Sequence, residues 1–353
     1  MIRDSHELTI EFFDVDGGDA MRIRYLGNDN LWHNILIDGG YIQSYDLVFK
    51  SIINSISEAG EFIDLWVITH IDLDHIGAII GFVRDGSIKD KEKLVKSFWF
   101  NHAVFKISDL GGRIGYKQGI ALRTYLEEIN KLAIEQITDS TGLKDFYGLQ
   151  FSILSPSNEK IEAADNDWLQ KEKKSMAKMS TSKGDHYLKI EDFDNHQFVE
   201  NTNIANGSSI TFLVKIKGIS GLFLADSHPS DIVKSLKRLN YSEKYPLETN
   251  FVKVSHHGSK NNTSPELLKL ISAPLFVFTA NGISNKHPDK ETLVRILKNH
   301  SADRPPVEFR FVSNTAEIMR IFNVDEDAEQ RYNFIQSFMA KDKIQTDLKF
   351  LPC

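Results

Sequence analysis

The chain of 353 residues holds a single cysteine, Cys353, at its very end. That scarcity excludes a disulfide scaffold and any cysteine-rich zinc module, and it fits a reducing compartment. No apolar run approaches the roughly 18 residues of a membrane-crossing helix, so no membrane role is expected. The start, MIRDSHELTIEFFDV, lacks a basic segment followed by an apolar one. No secretory signal is therefore expected, and the expected location is cytoplasmic. Positive charge is also short: 42 Lys+Arg against 49 Asp+Glu give a formal charge of −7. A broadly basic protein that coats nucleic acid is excluded on that ground. The remaining composition, 41% hydrophobic and 26% charged, is that of a globular chain able to bury one large core or two ordinary ones.

What is present is an uneven distribution of the 12 histidines. The densest group lies in LWVITHIDLDHIGAI. Leu65 to Thr69 reads as a buried strand, and Ile76 to Val83 reads as the start of a helix. His70, Asp72, Asp74 and His75 fall on the loop between them. Carboxylates and imidazoles converging on one spot repel or compete unless a cation sits among them. Two other segments repeat the layout of an apolar strand followed by ligand-type residues. Gly221 to Ala225 ends in Asp226, and Phe251 to Ser255 ends in His256 and His257.

In order, these segments resemble the metallo-β-lactamase fold, in the branch that includes competence-type DNA-uptake hydrolases and phosphorylcholine esterases. The resemblance runs from about Leu8 to Phe322. Phe13-Asp14-Val15-Asp16-Gly17-Gly18-Asp19-Ala20 is similar to that branch's DVGQGDA stretch, and Ile35 to Gly40 to its LIDGG turn. THIDLDHIG is similar to its SHxDxDHIGG element, and Asp226 stands where the branch has Gly-Asp. VSHHGSKNNTS resembles its HHGS element, and Asn281 to Pro288 its Gly…Asn…His-Pro segment. Three departures stand out. Asp72 replaces the general superfamily's second histidine, as in the competence-type branch. Ala225 replaces a glycine. No clear third-motif histidine is found between Phe151 and Asp226; Asn206 and Ser209 stand near that place.

The resemblance implies a four-layer αββα sandwich, where periodicity alone reads only as mixed α/β. It implies a metal-dependent hydrolase with two divalent ions. His70 and Asp72, two apart on an extended segment, can point the same way and hold one ion. Asp74 and His75 can hold the second, with Asp226 between the two and His256 or His257 completing the set. The other histidine of that pair, and His287, are candidates for substrate contact or proton transfer. Two such ions activate water and stabilise attacking and leaving oxygens. Imidazole and carboxylate ligands suit Zn²⁺, while the oxygen-rich set that Asp72 creates moves preference towards Mn²⁺ or Mg²⁺; Zn²⁺ or Mn²⁺ is expected. Asp38 and Asp14, with Asp19, are expected to brace the metal loop by hydrogen bonds. Ser259 and Lys260, on a Gly-Ser-Lys turn, are expected to meet a phosphate oxygen, with Asn206 and Ser209 as further substrate contacts. The favoured activity is a phosphodiesterase or nuclease acting on nucleic acid or a small phosphodiester. A lactone or thioester hydrolase and a non-catalytic metal-bound module are the alternatives.

Residues 1–322 are assigned to this domain, with a polar insertion at about 155–206 that reads either as a lid at the site's mouth or as solvated loop. Glu317 to Phe322 is expected as the domain's last strand. Residues 323–353 are expected to form a helical extension, centred on Glu326 to Lys341, that packs on the core or serves self-association. The insertion carries the basic run Lys171 to Lys178. If that run touches nucleic acid, replacing Lys171, Lys173 and Lys174 together weakens polyanion binding and flattens its salt dependence by about three phosphate contacts' worth. Filter binding across a salt series measures it, and an unchanged slope would leave the run as solvated loop.

Overall fold

The computed structural model describes residues 7–101, 114–133, 135–171, 184–283, 285–301 and 303–350. Its strands are β1 (Leu8–Phe13), β2 (Ala20–Leu26), β3 (Trp32–Asp38), β4 (Ile63–Ile68), β5 (Phe98–Phe100), β6 (Leu143–Phe146), β7 (Leu149–Ser155) and β8 (Thr211–Ile216). After them come β9 (Ile219–Phe223), β10 (Leu247–Glu248), β11 (Phe251–Lys253), β12 (Ile271–Ser272), β13 (Leu275–Phe278), β14 (Val307–Phe311), β15 (Phe334–Phe338) and β16 (Gln345–Phe350). They form a six-stranded sheet, β16-β1-β2-β3-β4-β5, and an eight-stranded one, β15-β14-β13-β11-β9-β8-β7-β6, while β10 and β12 pair separately. Each large sheet is antiparallel on one side and parallel on the other: β3-β4-β5 in the first, β9-β11-β13-β14-β15 in the second.

Strand periodicity sorts the side chains into layers. Along β3, Ile35 and Ile37 enter the core between the sheets, with Phe12, Phe151, Phe212, Phe223 and Phe251. Leu36 points the other way, with Trp66 and Ile68, onto Ile53, Ile79 and Phe82 of the flanking helices. Along β11, Phe251 faces the inter-sheet core, whereas Val252 joins Ile232, Leu236, Leu293 and Ile296 in the opposite helical layer. Two sheets face to face with helices outside each make the αββα sandwich.

The C-terminal segment departs from the expected helix. Among its described residues only Ala328–Arg331 is helical, and Asn333 then takes a left-handed φ of 53°. β15 and β16 follow, and they cover the edges of β14 and β1. The physical reason is pairing: a sheet edge left open exposes a row of hydrogen-bonding groups, and alternation lets Phe334 pack at a tilt against Phe309 and Phe338 stack on Phe311. The expected self-association through a terminal helix loses its basis with the helix. Glu317 to Phe322 is likewise no strand. Thr315 caps a helical turn at Ala316–Met319, its side chain accepting from the Ile318 N–H.

The insertion is more ordered than expected where it is described. Asn158–Lys171 is a helix, and Ile190 and Phe193 are buried in the outer core of the second sheet. Asp185 accepts from the N–H groups of Lys290 and Glu291 and so ties the insertion to the helix Lys290–Asn299. Most of the basic run, residues 172–178, lies outside the described residues.

Phe251 is fully buried and meets Phe12 and Phe223 edge-on, at ring separations of 6.0 and 5.4 Å. Phe251→Ala should cost about 3–5 kcal/mol of stability. Urea unfolding of the variant measures it, and a loss under 1 kcal/mol would contradict this core assignment.

Candidate metal centre

Register brings the ligand-type residues together. β3 and β4 run parallel with Ile37 opposite Val67, and β9 and β11 with Phe223 opposite Lys253. Asp38, His70, Asp226, His256 and His257 therefore all emerge at carboxyl ends of parallel strands, where open α/β sheets present their chemistry.

On the first sheet, Asp38 organises the loop after β4. Its carboxylate accepts from the Thr69 N–H at 2.8 Å, the Thr69 hydroxyl at 2.7 Å and His75 Nδ1 at 2.8 Å. The Thr69 hydroxyl in turn lies 3.1 Å from His70 Nδ1. Both histidines are thus held through Nδ1, which leaves Nε2 facing inward. Asp72 is the N-cap residue of the helix Leu73–Arg84, and Asp74 sits in its first turn. On the second sheet, Asp19 accepts from His257 Nδ1 at 3.1 Å and from the Thr279 hydroxyl at 2.6 Å, and it pairs with the buried Lys253 ammonium. His256 Nδ1 has no carboxylate partner. It meets Asn262 Oδ1 at 3.0 Å and the amides of Asn201 and Asn206 at 3.3 Å.

Asp226 stands between the halves. Its Oδ1 lies 3.5 Å from His75 Nε2 and 3.9 Å from His257 Nε2, and its Oδ2 lies 3.8 Å from His70 Nε2 and 3.5 Å from His256 Nε2. Asp74 Oδ2 is 3.3 Å from His257 Nε2, and Asp72 Oδ2 is 3.6 Å from His70 Nε2. Three sets have ligand atoms close enough to share an ion: His70, His75 and Asp226; Asp74, His75 and His257; and Asp19, Asp38 and His75. In the third, both carboxylates already accept from Thr69, Thr279 or the imidazoles, so the first two are the candidate ligand sets. Among the described residues, His256 joins none of the three. His70 Nε2, His75 Nε2, His257 Nε2 and Asp226 Oδ1 are buried without a hydrogen-bond partner. Such atoms carry a desolvation cost of about 1–3 kcal/mol each, which a divalent cation would remove. The nitrogen and carboxylate donors fit that ion.

Several expected residues are placed differently. Asp14 turns away to Ser313 and the Asp16 N–H, and burial pushes its carboxyl above the ordinary range. Asp19 braces the centre in its stead. In the Gly-Ser-Lys turn the backbone donors of Ser259 and Lys260 are used internally, which leaves the Ser259 hydroxyl proton and the Lys260 ammonium as its candidate phosphate-binding groups. The Ser259 N–H donates to the His256 carbonyl and the Lys260 N–H to Asp289 at 2.8 Å. The Ser259 hydroxyl accepts from the Asn261 N–H, and the Lys260 ammonium lies 3.8 Å from Glu291. Asn206 reaches the centre only through His256, and the Ser209 hydroxyl is buried without a partner. His287 sits beside the site, its ring 5.4 Å from that of His256 and its Nδ1 3.3 Å from Asp289. Lys253 and Thr279 were not singled out from sequence. The available signal was a lysine at an inward-facing position of an apolar strand.

Without a cation the cluster holds together by charge pairing. Burial opposes the charge of His257, but Asp19, Asp226 and Asp74 push it up to about 9. Burial also opposes ionisation of Asp226, yet His256, His75 and His257 hold its carboxyl well below the ordinary range. A raised imidazole stabilises the fold fully below its ordinary value of 6.5, and that contribution fades as pH rises through about 9. Metal-free protein should therefore lose stability across that window. Metal-loaded protein should not, because a ligating Nε2 carries no proton. Urea melts with and without chelator check this, and identical profiles would mean that no ion reaches His257.

Comparison with known proteins adds to this geometry. Residues 32–142 match the family model described as the metallo-beta-lactamase superfamily. The segment contains Asp38, His70, Asp72, Asp74 and His75. ComE operon protein 3 of Bacillus subtilis (strain 168) is 22% identical over 311 residues, which is 84% of this chain but 31% of that protein. The chain thus spans about a third of that relative's length. Among solved structures, an E377D mutant of CmlA beta-hydroxylase is 12% identical with a TM-score of 0.42, covering 99% of this chain and 55% of that one. A long form RNase Z from yeast is 11% identical with a TM-score of 0.36, covering 88% and 37%. The family match thus lies across the strand-and-loop unit that supplies three of the five residues in the candidate ligand sets, His70, Asp74 and His75, and over residues 32–142 the chain is similar to the metallo-beta-lactamase superfamily.

Proposed function

We propose that this chain is a metal-dependent phosphodiesterase that takes two divalent ions, Zn²⁺ or Mn²⁺, with nucleic acid as the leading substrate and a small phosphodiester next. The observation that carries the reading is the clustering of four buried, unpartnered ligand atoms, His70 Nε2, His75 Nε2, His257 Nε2 and Asp226 Oδ1, in two neighbouring sets that share His75. When bound, such ions lower the pKa of water towards neutrality and offset charge on phosphoryl oxygens.

The chain's own residues divide the work. Asp226, between the two donor sets, suits a shared ligand, with His70 and Asp72 on one side and Asp74 and His257 on the other. His75 lies within reach of both. Asp38 and Asp19 hold the imidazoles with Nε2 inward. His256 is the most open of the clustered imidazoles, its side chain 21% exposed. Caged by amides and edge-on to His287, it faces the substrate side, and with its Nδ1–H given to Asn262 Oδ1 its Nε2 is left as an acceptor. The carboxylate-rich set, with Asp72 in place of an imidazole, supports an oxygen-preferring ion and a phosphate ester. The motif resemblance to DNA-uptake hydrolases and phosphorylcholine esterases supports the same substrate class. Among the described residues, no helix is long and apolar enough to cross a membrane. A cytoplasmic location belongs to the proposal.

The test is a panel of single- and double-stranded DNA, RNA, a chromogenic phosphodiester and a lactone, each with Mn²⁺ or Zn²⁺ and with excess chelator. Cleavage of the phosphodiesters with metal, and its loss with chelator, is expected. Asp226→Asn should lower kcat by about 1000-fold or more, because several kcal/mol of charge stabilisation would be lost with a carboxylate that would help hold the ions. Turnover of the lactone alone, or full activity in chelator, would refute the proposal.

A further inference from the structure

Lys253 is fully buried in the layer between the sheets. Strand parity assigns its position to that layer, next to the inward-facing Phe251, and its neighbours there, Phe223 and Val277, are apolar. A charge in such a place is strongly disfavoured unless it is paired. Its partner is Asp19, also fully buried, on the loop that precedes β2 in the other sheet. Asp19 collects three donors from the second sheet: Lys253 itself, the Thr279 hydroxyl and His257 Nδ1.

Asp38 and Asp19 do the same task for His75 and His257, but their settings differ. Besides His75, Asp38 accepts only from Thr69, through neutral donors on its own sheet. Asp19 must reach across the sandwich, and it does so beside three further carboxylates, Asp74, Asp226 and Asp38. A fixed positive charge at Lys253 holds the Asp19 carboxylate at that crossing. His257 depends on this hold, because its backbone sits in the left-handed region at φ 54° and its ring is aimed by the Nδ1 contacts to Asp19 and Thr279.

We infer that Lys253 is a positioning residue for the metal centre: through Asp19 it fixes His257, so one of the two ions is retained by virtue of a residue that touches neither. The inference rests on the dinuclear reading above. Loss of a group that orients a ligating histidine typically costs 10–100-fold in metal affinity.

Mn²⁺ titration by calorimetry, with bound metal counted by elemental analysis, tests it on the full chain. Wild type is expected to hold two ions. Lys253→Met should weaken one of them by about 10–100-fold, leave the other unchanged, and match the stoichiometry of His257→Ala. Asp19→Asn should weaken the same ion, and adding Lys253→Met on that background should change little further, since Lys253 acts through Asp19. That double variant also removes both charges as a pair, so it keeps the comparison available if the single lysine variant does not fold. Wild type that binds no ion brings down the dinuclear reading and the inference together. Two ions at wild-type affinity in Lys253→Met, equal weakening of both ions, or full additivity with Asp19→Asn would overturn the inference alone. A purely structural lysine would lower the unfolding midpoint without separating the two affinities.

Discussion

An imidazole offers a metal one nitrogen, and the other must be held if the ring is to stay aimed. In this protein two buried carboxylates do the holding, and the rest of the centre is arranged around them. Asp38 grips His75 directly and His70 through Thr69. Asp19 grips His257 and, across the sandwich, Lys253 and Thr279. Asp226 is then left with four imidazoles about it and no hydrogen-bonding partner for its Oδ1. The interior of a sandwich that is otherwise aromatic and aliphatic tolerates this much charge because every carboxylate faces a donor or a ligand position.

The backbone is bent to the same end. Asp38, Ala225, His256 and His257 all have left-handed φ values, between 42° and 54°. A residue held in this way costs on the order of 1–3 kcal/mol and persists only where its surroundings over-determine it. Here the surroundings are the carboxyl ends of parallel strands, fixed by ladders on both sides, and each strained residue turns a ligand or its supporter inward. Ala225 explains why a glycine is usual at that position in the branch this chain resembles: a Cβ at φ 42° is strained. Gly18 answers a different demand. A Cβ there would lie 2.4 Å from the Asp74 carbonyl oxygen, so only glycine lets the loop before β2 close on the ligand helix.

Much of the centre was legible because its signals are local. Strand, then His-x-Asp, then a helix with Asp74 and His75 in its first turn occupy one short stretch, although the sequence pattern starts that helix only at Ile76, and the elements at Asp226 and His256-His257 repeat the strand-end layout. Errors came where a side chain's partner is remote in sequence. Asp14 and Asp19 look alike on one turn, yet only Asp19 points inward, and its partners lie more than 200 residues away. Ser259 and Lys260 read as an open turn because nothing nearby reveals that Asp289 takes the Lys260 N–H. The helix expected at Glu326 to Lys341 failed for a related reason. Its apolar residues suit either period, and the open edges of β1 and β14 decided in favour of strands.

The sequence by itself determined the residue types at the centre, their order, and a globular α/β chain that needs no disulfides, since composition and short-range pattern carry those properties. Tertiary structure alone decided which of two adjacent histidines lies within reach of both Asp74 and His75, which of two aspartates braces it, and that a lysine stands buried beside it. Those outcomes depend on where two sheets meet, and long-range packing sets that meeting point through contacts that no local pattern encodes.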